Sequence, residues 1–314
     1  MVRVGPHGIL RLLDDGQPEP MVLIHSLSGF LDAGSAGRLA VGHLLNVLPH
    51  ETVAEFDLDL LFDYRARRPR MTFLSDHYGE IDMPTLTVSK MTDSVGSSFL
   101  LMHGPEPDFR WQAFAADTAW LAKSLEVSLV LGIHAVPWPS PHTRPVNISA
   151  HGNDPTLIAD RPKFVGDIEV PAHAAGLLEV TMGEVGIPAM GFAAHVPHYL
   201  ANAEHPRASV ALLEAVSSQT GLLLPLSELR DQADASELEV TGQVAADPEH
   251  IEAVRMLEEQ YDEFMATFMA AGDGKASSDD LADAEDLVSA VEQFLASHDG
   301  GPLDDDKGYP ESNV

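Results

Sequence analysis

The sequence contains no cysteine in 314 residues. Disulfide bonds, thiolate catalysis and zinc or iron–sulfur centres held by cysteine are therefore excluded together. Any metal site would have to use histidine, aspartate or glutamate side chains.

Long apolar runs are absent as well. No stretch approaches the roughly 18 apolar residues that a membrane-spanning helix needs. The N-terminus lacks the basic, apolar and small-residue pattern of a secretory signal. We therefore expect a cytoplasmic protein that makes no membrane contact. With 45% hydrophobic residues, the chain has enough apolar surface to bury a core of ordinary size.

Basic residues are scarce. The chain has 18 lysines and arginines against 49 aspartates and glutamates, which gives a formal net charge of −31. The imbalance is concentrated, because residues 227–314 hold 24 acids and only 4 bases. Such an acidic surface repels phosphate backbones, so nucleic-acid binding through a basic face is not expected.

Several cofactor and catalytic motifs are also missing. There is no GxxxxGK(S/T) loop and no dinucleotide glycine fingerprint, so no cofactor is predicted, neither ATP nor NAD. Ser26 and Ser28 lie in HSLSGF, which lacks the GxSxG turn that exposes a hydrolase nucleophile. HExxH is absent, and His195 and His198 have Pro197 between them at a predicted strand exit. We therefore predict no metal centre.

The first 226 residues contain an alternation of strand and helix patterns. Apolar runs such as MVLIH (21–25) and VSLVLGI (127–133) are typical of buried strands. We expect Asp32 to cap a helix, Pro171 to open one and Gly221 to end one. Strands or hairpins are predicted at 21–25, 70–81, 85–103, 127–133 and 187–196, and helices at 32–48, 108–125, 171–186 and 206–221. Hairpins among βα units predict an α/β domain, residues 1–226, with a mixed sheet.

The C-terminal quarter has a different pattern. Two apolar stripes at helical spacing predict a helical hairpin within an acidic appendage, residues 227–299, followed by a disordered acidic tail, residues 300–314. The stripes are Val254, Leu257, Tyr261, Phe264 and Phe268, then Leu281, Ala284, Val288, Val291 and Leu295.

Residues 134–152, HAVPWPSPHTRPVNISAHG, carry four prolines, three histidines and one arginine. Because proline fixes φ and keeps the preceding residue out of the helical region, we expect a stiff, extended loop. His142 and His151 can act as general acid or base near neutral pH, and Glu179, on a predicted helix, is a candidate to orient one of them. The alternative is that these side chains anchor the loop by hydrogen bonds.

Arginine is concentrated in DYRARRPRMTF (63–73), and Arg144 lies among the prolines. Guanidinium groups suit carboxylates and phosphates, so one interpretation is an anion pocket at the carboxyl ends of the strands. We favour the other interpretation, that the arginines pair with carboxylates of the same domain. No catalytic residue is predicted. The candidates for an anion or ligand pocket are Arg65, Arg67, Arg68, Arg70, His142, Arg144, His151, Glu179, His195 and His198.

Five segments together resemble the proteasome assembly chaperone 2 family, in particular its actinobacterial branch. They are DYRARRPRMTF (63–73), LLMHGPEPDFRWQAF (100–114), HAVPWPSPHTRP (134–145), GLLEVTMGE (176–184) and GFAAHVPHYL (191–200). The resemblance spans roughly residues 20–225. It implies a three-layer α/β/α sandwich, similar to the phosphorylase/hydrolase fold of nucleoside phosphorylases, and a non-catalytic chaperone role in protein assembly.

Archaeal and eukaryotic relatives of this class dock onto the proteasome ring through a C-terminal hydrophobic-tyrosine-any motif. The sequence here ends Ser312-Asn313-Val314, and the nearest tyrosine is Tyr309. We therefore do not expect direct docking onto the ring.

Two classes of function remain. The first is a non-catalytic assembly-chaperone-like or scaffold protein that acts through protein–protein contacts and forms a homo-oligomer, with a trimer preferred over a dimer. The second is an enzyme or ligand-binding protein of the nucleoside phosphorylase/hydrolase kind with an anion-binding Arg/His pocket. They differ in whether the arginine segment and the histidine loop meet in one pocket.

Overall fold

The computed structural model describes residues 2–13, 21–159 and 169–272, without the side chains of residue 264 and residues 267–272. The strands in these ranges are β1 (Arg3–Val4), β2 (Leu10–Leu12), β3 (Met21–Ser28), β4 (His50–Phe56), β5 (Met71–Leu74), β6 (His77–Ile81), β7 (Thr87–Thr92), β8 (Ser98–Pro105), β9 (Val127–Trp138), β10 (Ile148–Gly152) and β11 (Ala189–Pro197). The helices are α1 (Ala36–Val47), α2 (Trp111–Ser124), α3 (Ala174–Glu184), α4 (Pro206–Thr220), α5 (Ser227–Ala245) and α6 (Pro248–Gly272).

Nine strands form one sheet in the order β1-β2-β4-β7-β8-β3-β9-β11-β10. The four strands β8, β3, β9 and β11 are parallel to one another, whereas β7 and β10 run antiparallel to β8 and β11. The predicted mixed sheet of an α/β fold is therefore confirmed. Both predicted hairpins are present, β7–β8 inside this sheet and β5–β6 as a separate two-stranded sheet.

The central strands contribute to a core on each face of the sheet. Along β9, Val130 belongs to the core that contains α2 and α3 side chains, whereas Leu131 belongs to the core that contains α1 and α4 side chains. Because successive side chains of a strand point to opposite faces, the helices cover the sheet on both sides. A strand covered on both faces carries mostly apolar residues, which explains the run VSLVLGI.

The ends of α1 and α4 follow the sequence signals. The Asp32 carboxylate accepts hydrogen bonds from the N–H groups of Gly37 (2.7 Å) and Arg38 (3.3 Å) in the first turn of α1. Asp32 thus satisfies free helix donors, as predicted, although a short 3-10 turn separates it from α1. Gly221 ends α4 with φ 75°, a conformation that favours glycine.

The start of α3 differs from the prediction that Pro171 opens this helix. The helix begins at Ala174, and the ring of His173 accepts a hydrogen bond from the N–H of Gly176 (3.1 Å). A side chain that satisfies a free N–H group sets the helix start here, rather than the fixed φ of proline.

Residues 134–138 are not part of a loop. β9 continues to Trp138 and pairs with β11 along its whole second half. The prolines do keep the segment extended, as predicted, but extended backbone beside a parallel strand joins the sheet. The last residues of the segment form β10, which the sequence did not reveal.

The C-terminal part begins with an unpredicted helix, α5, whose Leu229 and Ala233 are buried against the main body. α6 contains the first apolar stripe, and its residues Val254, Leu257 and Tyr261 are half-buried or buried. The second stripe and the predicted tail lie outside the described residues. None of the helices in the described ranges combines the length and the apolar character needed to cross a membrane.

Candidate functional site

Two histidines and two glycines form a row across the sheet. Strand pairing places His25 beside Gly132, Gly132 beside Gly191, and Gly191 beside His151. Paired positions share a face, so both imidazole rings lie over the glycines on the face covered by α3. A Cβ on Gly132 would lie 2.8 Å from Cε1 of His25, and a Cβ on Gly191 would overlap the ring of His151. The glycines therefore make room for the rings.

Two further histidines complete what we call the histidine cluster: His25, His134, His151 and His173. His134 follows Gly132 by two positions in β9 and faces the same way. Its ring centroid lies 5.4 Å from that of His151 and 6.0 Å from that of His173. Since the Nδ1 of His173 accepts from the start of α3, the hydrogen of its neutral ring is on Nε2.

Glu179 of α3 contacts one member of this cluster. Its Oε2 lies 2.6 Å from Nδ1 of His151. A carboxylate only accepts hydrogen bonds, so Nδ1 carries the hydrogen and Nε2 is the acceptor of the neutral ring. The side chains of His151 and Glu179 are 44% and 21% exposed, so this pair borders solvent.

Burial keeps most of the cluster neutral. Desolvation, followed by repulsion from His151 and His173, lowers the pKa of His25 to about 4. The same causes hold the pKa of His134 well below its usual value, and desolvation also lowers the pKa of His173.

The cavity at the cluster has a volume of about 10 Å³, the room of one water molecule. It therefore has no space for a sugar or a base. Among the residues described, no three His, Asp or Glu side chains are arranged as metal ligands.

His142 lies apart from this cluster and is bound to Tyr199. The Tyr199 hydroxyl accepts from the backbone N–H of His142 (2.8 Å) and lies 2.7 Å from its Nδ1. Desolvation lowers the pKa of His142 and raises the pKa of Tyr199 to about 12. His142 is thus neutral, and its hydrogen bonds to Tyr199 fix the connection between β9 and β10.

Arg144 is bound to the C-terminal helix α6. Its Nε and Nη2 donate to the two carboxylate oxygens of Asp262 (2.8 and 2.7 Å), and Nη1 donates to Glu258 (3.2 Å). The neighbouring groove of about 390 Å³ contains a second ion pair, Arg207 with Glu237 (2.6 Å). Carboxylates thus already surround the guanidinium groups in this groove.

The two remaining histidine candidates have different surroundings. His195 is buried, stacks on Trp138 with ring centroids 4.0 Å apart, and places Nε2 2.7 Å from the Ser149 hydroxyl. Desolvation lowers its pKa to about 3, and its Nδ1 has no hydrogen-bond partner among the described residues. His198 is exposed beside Tyr199.

The arginine segment belongs to neither the histidine cavity nor the Arg144 groove. Arg67 binds Asp108 and the carbonyl of Glu106, both at 2.7 Å, and its guanidinium lies over the Phe62 ring. Arg65, Arg68 and Arg70 are exposed. The candidate residues therefore fall into several separate places, and of them only His151 and Glu179 line the cavity at the histidine cluster.

The predicted site residues did not include His25, His134 and His173, which contribute three of the four rings in the cluster. A signal for it was nevertheless present, because Gly132 and Gly191 interrupt apolar strands. A glycine inside a strand often marks a close approach by another group. Which group approaches depends on strand order and register, and these appear only in the folded chain.

The fold and this site define an α/β protein with a mixed sheet and a histidine cluster buried between the sheet and α3. The PAC2 family model matches residues 26–244, and the chain belongs to this family. The resemblance inferred from the five segments is thus confirmed.

Solved structures include several similar proteins. The Mycobacterium tuberculosis protein of unknown function Rv2714 is 42% identical, with 82% of this chain and 92% of that chain covered and a TM-score of 0.78. A Corynebacterium glutamicum protein of unknown function is 31% identical, with 82% and 98% covered and a TM-score of 0.77. Rv2125, a Mycobacterium tuberculosis proteasome-assembly chaperone homologue, is 31% identical, with 74% and 100% covered and a TM-score of 0.69. A comparison with curated proteins gives no significant match.

Proposed function

We propose that this protein is a non-catalytic, cytoplasmic assembly-chaperone-like or scaffold protein that acts through protein–protein contacts. Its membership of the PAC2 family supports this proposal, as does its 31% identity to a proteasome-assembly chaperone homologue. The proposal includes self-association: the protein forms a homo-oligomer, with a trimer preferred over a dimer.

The observation that carries the non-catalytic part is the pairing of Arg144. Both oxygens of Asp262 and one of Glu258 occupy its guanidinium donors. With Glu214 and Glu237 lining the same groove and Arg230 bound to Glu214 (2.8 Å), three guanidiniums stand among four carboxylates. A phosphate entering this groove would meet an excess of negative charge and would have to displace existing ion pairs.

The test is phosphorolysis and hydrolysis of nucleosides by the purified full-length chain. We expect no free base from common nucleosides with or without phosphate, and no rise in melting temperature in millimolar phosphate. Free base or a phosphate-induced rise that disappears in His142→Ala or Arg144→Ala would overturn the proposal. The control is Asp82→Ala, because Asp82 is exposed and lies outside the groove; its melting temperature and activity should match those of the unsubstituted protein.

Self-association is tested by light scattering over a range of micromolar concentrations. The chain has a mass of 33.8 kDa, and we expect a molar mass at a multiple of this value, three being the preferred number. A mass that stays at one chain throughout the range would contradict self-association.

A second candidate function has one observation in its favour, the His151–Glu179 pair at the edge of solvent. An imidazole oriented by a carboxylate is a suitable general base, with Nε2 as the accepting atom. This arrangement supports a ligand-binding or hydrolytic role of the phosphorylase/hydrolase kind in which the substrate meets the pair from its solvent side, because the cavity itself holds no more than one water molecule. Loss of a detected turnover in His151→Ala and in Glu179→Gln would assign it to this pair.

A further inference from the structure

The β5–β6 hairpin presents an uncovered apolar face. Its strands form a sheet of their own, and every residue in both strands is exposed. Met71 pairs with Ile81 and Phe73 with Tyr78, so these four side chains share one face. The Phe73 and Tyr78 rings pack edge to face at 5.2 Å, yet the residues are 60% and 73% exposed.

Such a hairpin is marginal in water by itself. Two-stranded sheets usually need a further layer for stability, and contiguous exposed apolar side chains mark a contact surface. Both strands are also edge strands, each with a row of N–H and C=O groups directed away from the pair. The hairpin therefore has the properties of a surface that a partner covers.

Exposed arginines adjoin this face. Arg65, Arg68 and Arg70 directly precede β5, are exposed, and form no ion pair with another described residue. The four arginines of residues 63–82 are balanced by Asp63, Asp76, Glu80 and Asp82, so this region is neutral within a chain that has a net charge of −31. A surface that complements the hairpin must accordingly offer both apolar side chains and carboxylates.

The chain itself carries such a surface on α5 and α6, which we call the acidic arm. Residues 227–272 hold 12 acids and 2 bases. The arm also exposes Leu238, Ile251 and Met256. We propose that the β5–β6 hairpin of one molecule docks on the acidic arm of a second copy. This inference rests on the self-association in the proposed function and assigns the surface that produces it.

The contact joins unlike surfaces. Pairing hairpin with hairpin would bring the arginines of two copies together, and pairing arm with arm would oppose two acidic surfaces. Pairing hairpin with arm instead sets opposite charges face to face. A head-to-tail contact of this kind closes into a ring when the rotation between copies permits, and three copies make the trimer expected above.

The test measures molar mass by light scattering and sedimentation on full-length variants. Phe73→Ser with Tyr78→Ser removes the ring pair, and Val95→Ser is the matched control because Val95 is a 66% exposed apolar residue outside the hairpin. Arg65→Glu, Arg68→Glu and Arg70→Glu reverse the charge beside the hairpin. Asp231→Lys, Asp234→Lys and Glu239→Lys reverse it on the arm. The six charge changes are also combined in one chain.

We expect the ring-pair variant and each charge variant to dissociate at concentrations about tenfold or more above those for the unsubstituted protein. The Val95 variant should keep the original mass, and the combined charge variant should recover it, because opposite charges again face each other. All of the substituted positions are exposed, and circular dichroism checks that the fold is kept.

The outcomes distinguish self-association itself from the surface proposed to produce it. An unsubstituted protein that is monomeric at all concentrations overturns both self-association and this surface. An unsubstituted oligomer whose mass survives in the ring-pair variant overturns the surface alone. If each charge variant weakens the oligomer but the combined variant does not restore its mass, the pairing of hairpin with arm is overturned.

Discussion

Arg144 and Asp262 form a two-pronged ion pair that ties the β9–β10 connection to α6. Beside it, Tyr261 is buried; its hydroxyl accepts from Asn147 (2.7 Å) and donates to the carbonyl of Pro145 (3.3 Å). The acidic arm is thus attached at both of its helices, since α5 buries Leu229 and Ala233 against the same body. Because α5 and α6 make separate contacts with the body, removing them one after the other should have graded effects on stability.

A chain ending at Leu226 should be less stable than one ending at Ala246. The shorter chain loses Leu229 and Ala233, which are 1% and 5% exposed, and uncovers the apolar surface beneath them. The longer chain keeps these residues and loses the α6 contacts. Gel filtration and thermal melts followed by circular dichroism compare the two; equal melting temperatures with monodisperse elution would show that α5 adds nothing to the core.

Replacing Tyr199 by phenylalanine should destabilise the β9–β10 connection. The change leaves the backbone N–H and Nδ1 of His142 without their shared partner, and an unsatisfied buried group costs about 1 to 3 kcal/mol. Urea unfolding measures the difference. Tyr78→Phe, at an exposed tyrosine, is the matched control and should leave the urea midpoint unchanged; a Tyr199→Phe midpoint equal to that control would contradict the role given to the hydroxyl.

Local patterns in the sequence predicted much of the fold. The apolar runs at β3 and β9 predicted strands because a strand covered on both faces carries mostly apolar residues. The strand pattern over residues 85–103 predicted the β7–β8 hairpin, and Gly221 marked the end of α4, where the backbone has the left-handed conformation that favours glycine.

Features that depend on distant residues were not predictable in the same way. α5 has few apolar residues at helical spacing, and most of its residues remain exposed. The pairing of Arg144 with Asp262 joins positions 118 residues apart, so no local pattern indicates it. The histidine cluster requires the register of β3, β9, β11 and β10 together, and this register is set by packing across the whole sheet.

Adding a methyl group at Gly191 should destabilise the protein by displacing His151. The Cβ of Gly191→Ala overlaps the His151 ring, and overpacking of this kind typically costs about 1 to 3 kcal/mol. Gly42→Ala is the control, because its Cβ meets no other atom within 4 Å and alanine favours the helix. The double variant Gly191→Ala with His151→Ala should recover part of the loss; additive losses in urea unfolding would show that the ring is not what the methyl group meets.

Acid should destabilise the protein between about pH 6.5 and pH 4 through its buried histidines. Burial lowers the pKa of His25 and His205 to about 4 and that of His195 to about 3, whereas an unfolded chain has histidine pKa values near 6.5. Below pH 6.5 the unfolded chain therefore binds protons that the folded protein does not. The free energy of unfolding should fall by about 1.4 kcal/mol per pH unit for each histidine that stays neutral when folded.

Other titrating groups also affect how the free energy of unfolding changes with pH. Burial raises the pKa of Asp32, so acid partly offsets the loss once this carboxylate takes up a proton in the folded state. Hydrogen bonds to Arg144 lower the pKa of Asp262, and the stability from that carboxylate is lost only at lower pH, as it is protonated.

Urea unfolding at pH 7, 6 and 5 therefore reports mainly on the histidines. His25→Gln should reduce the slope over this range by about one proton, with His77→Gln, at an exposed histidine, as the control. An unchanged slope in His25→Gln would show that His25 binds its proton equally well in the folded and unfolded chains.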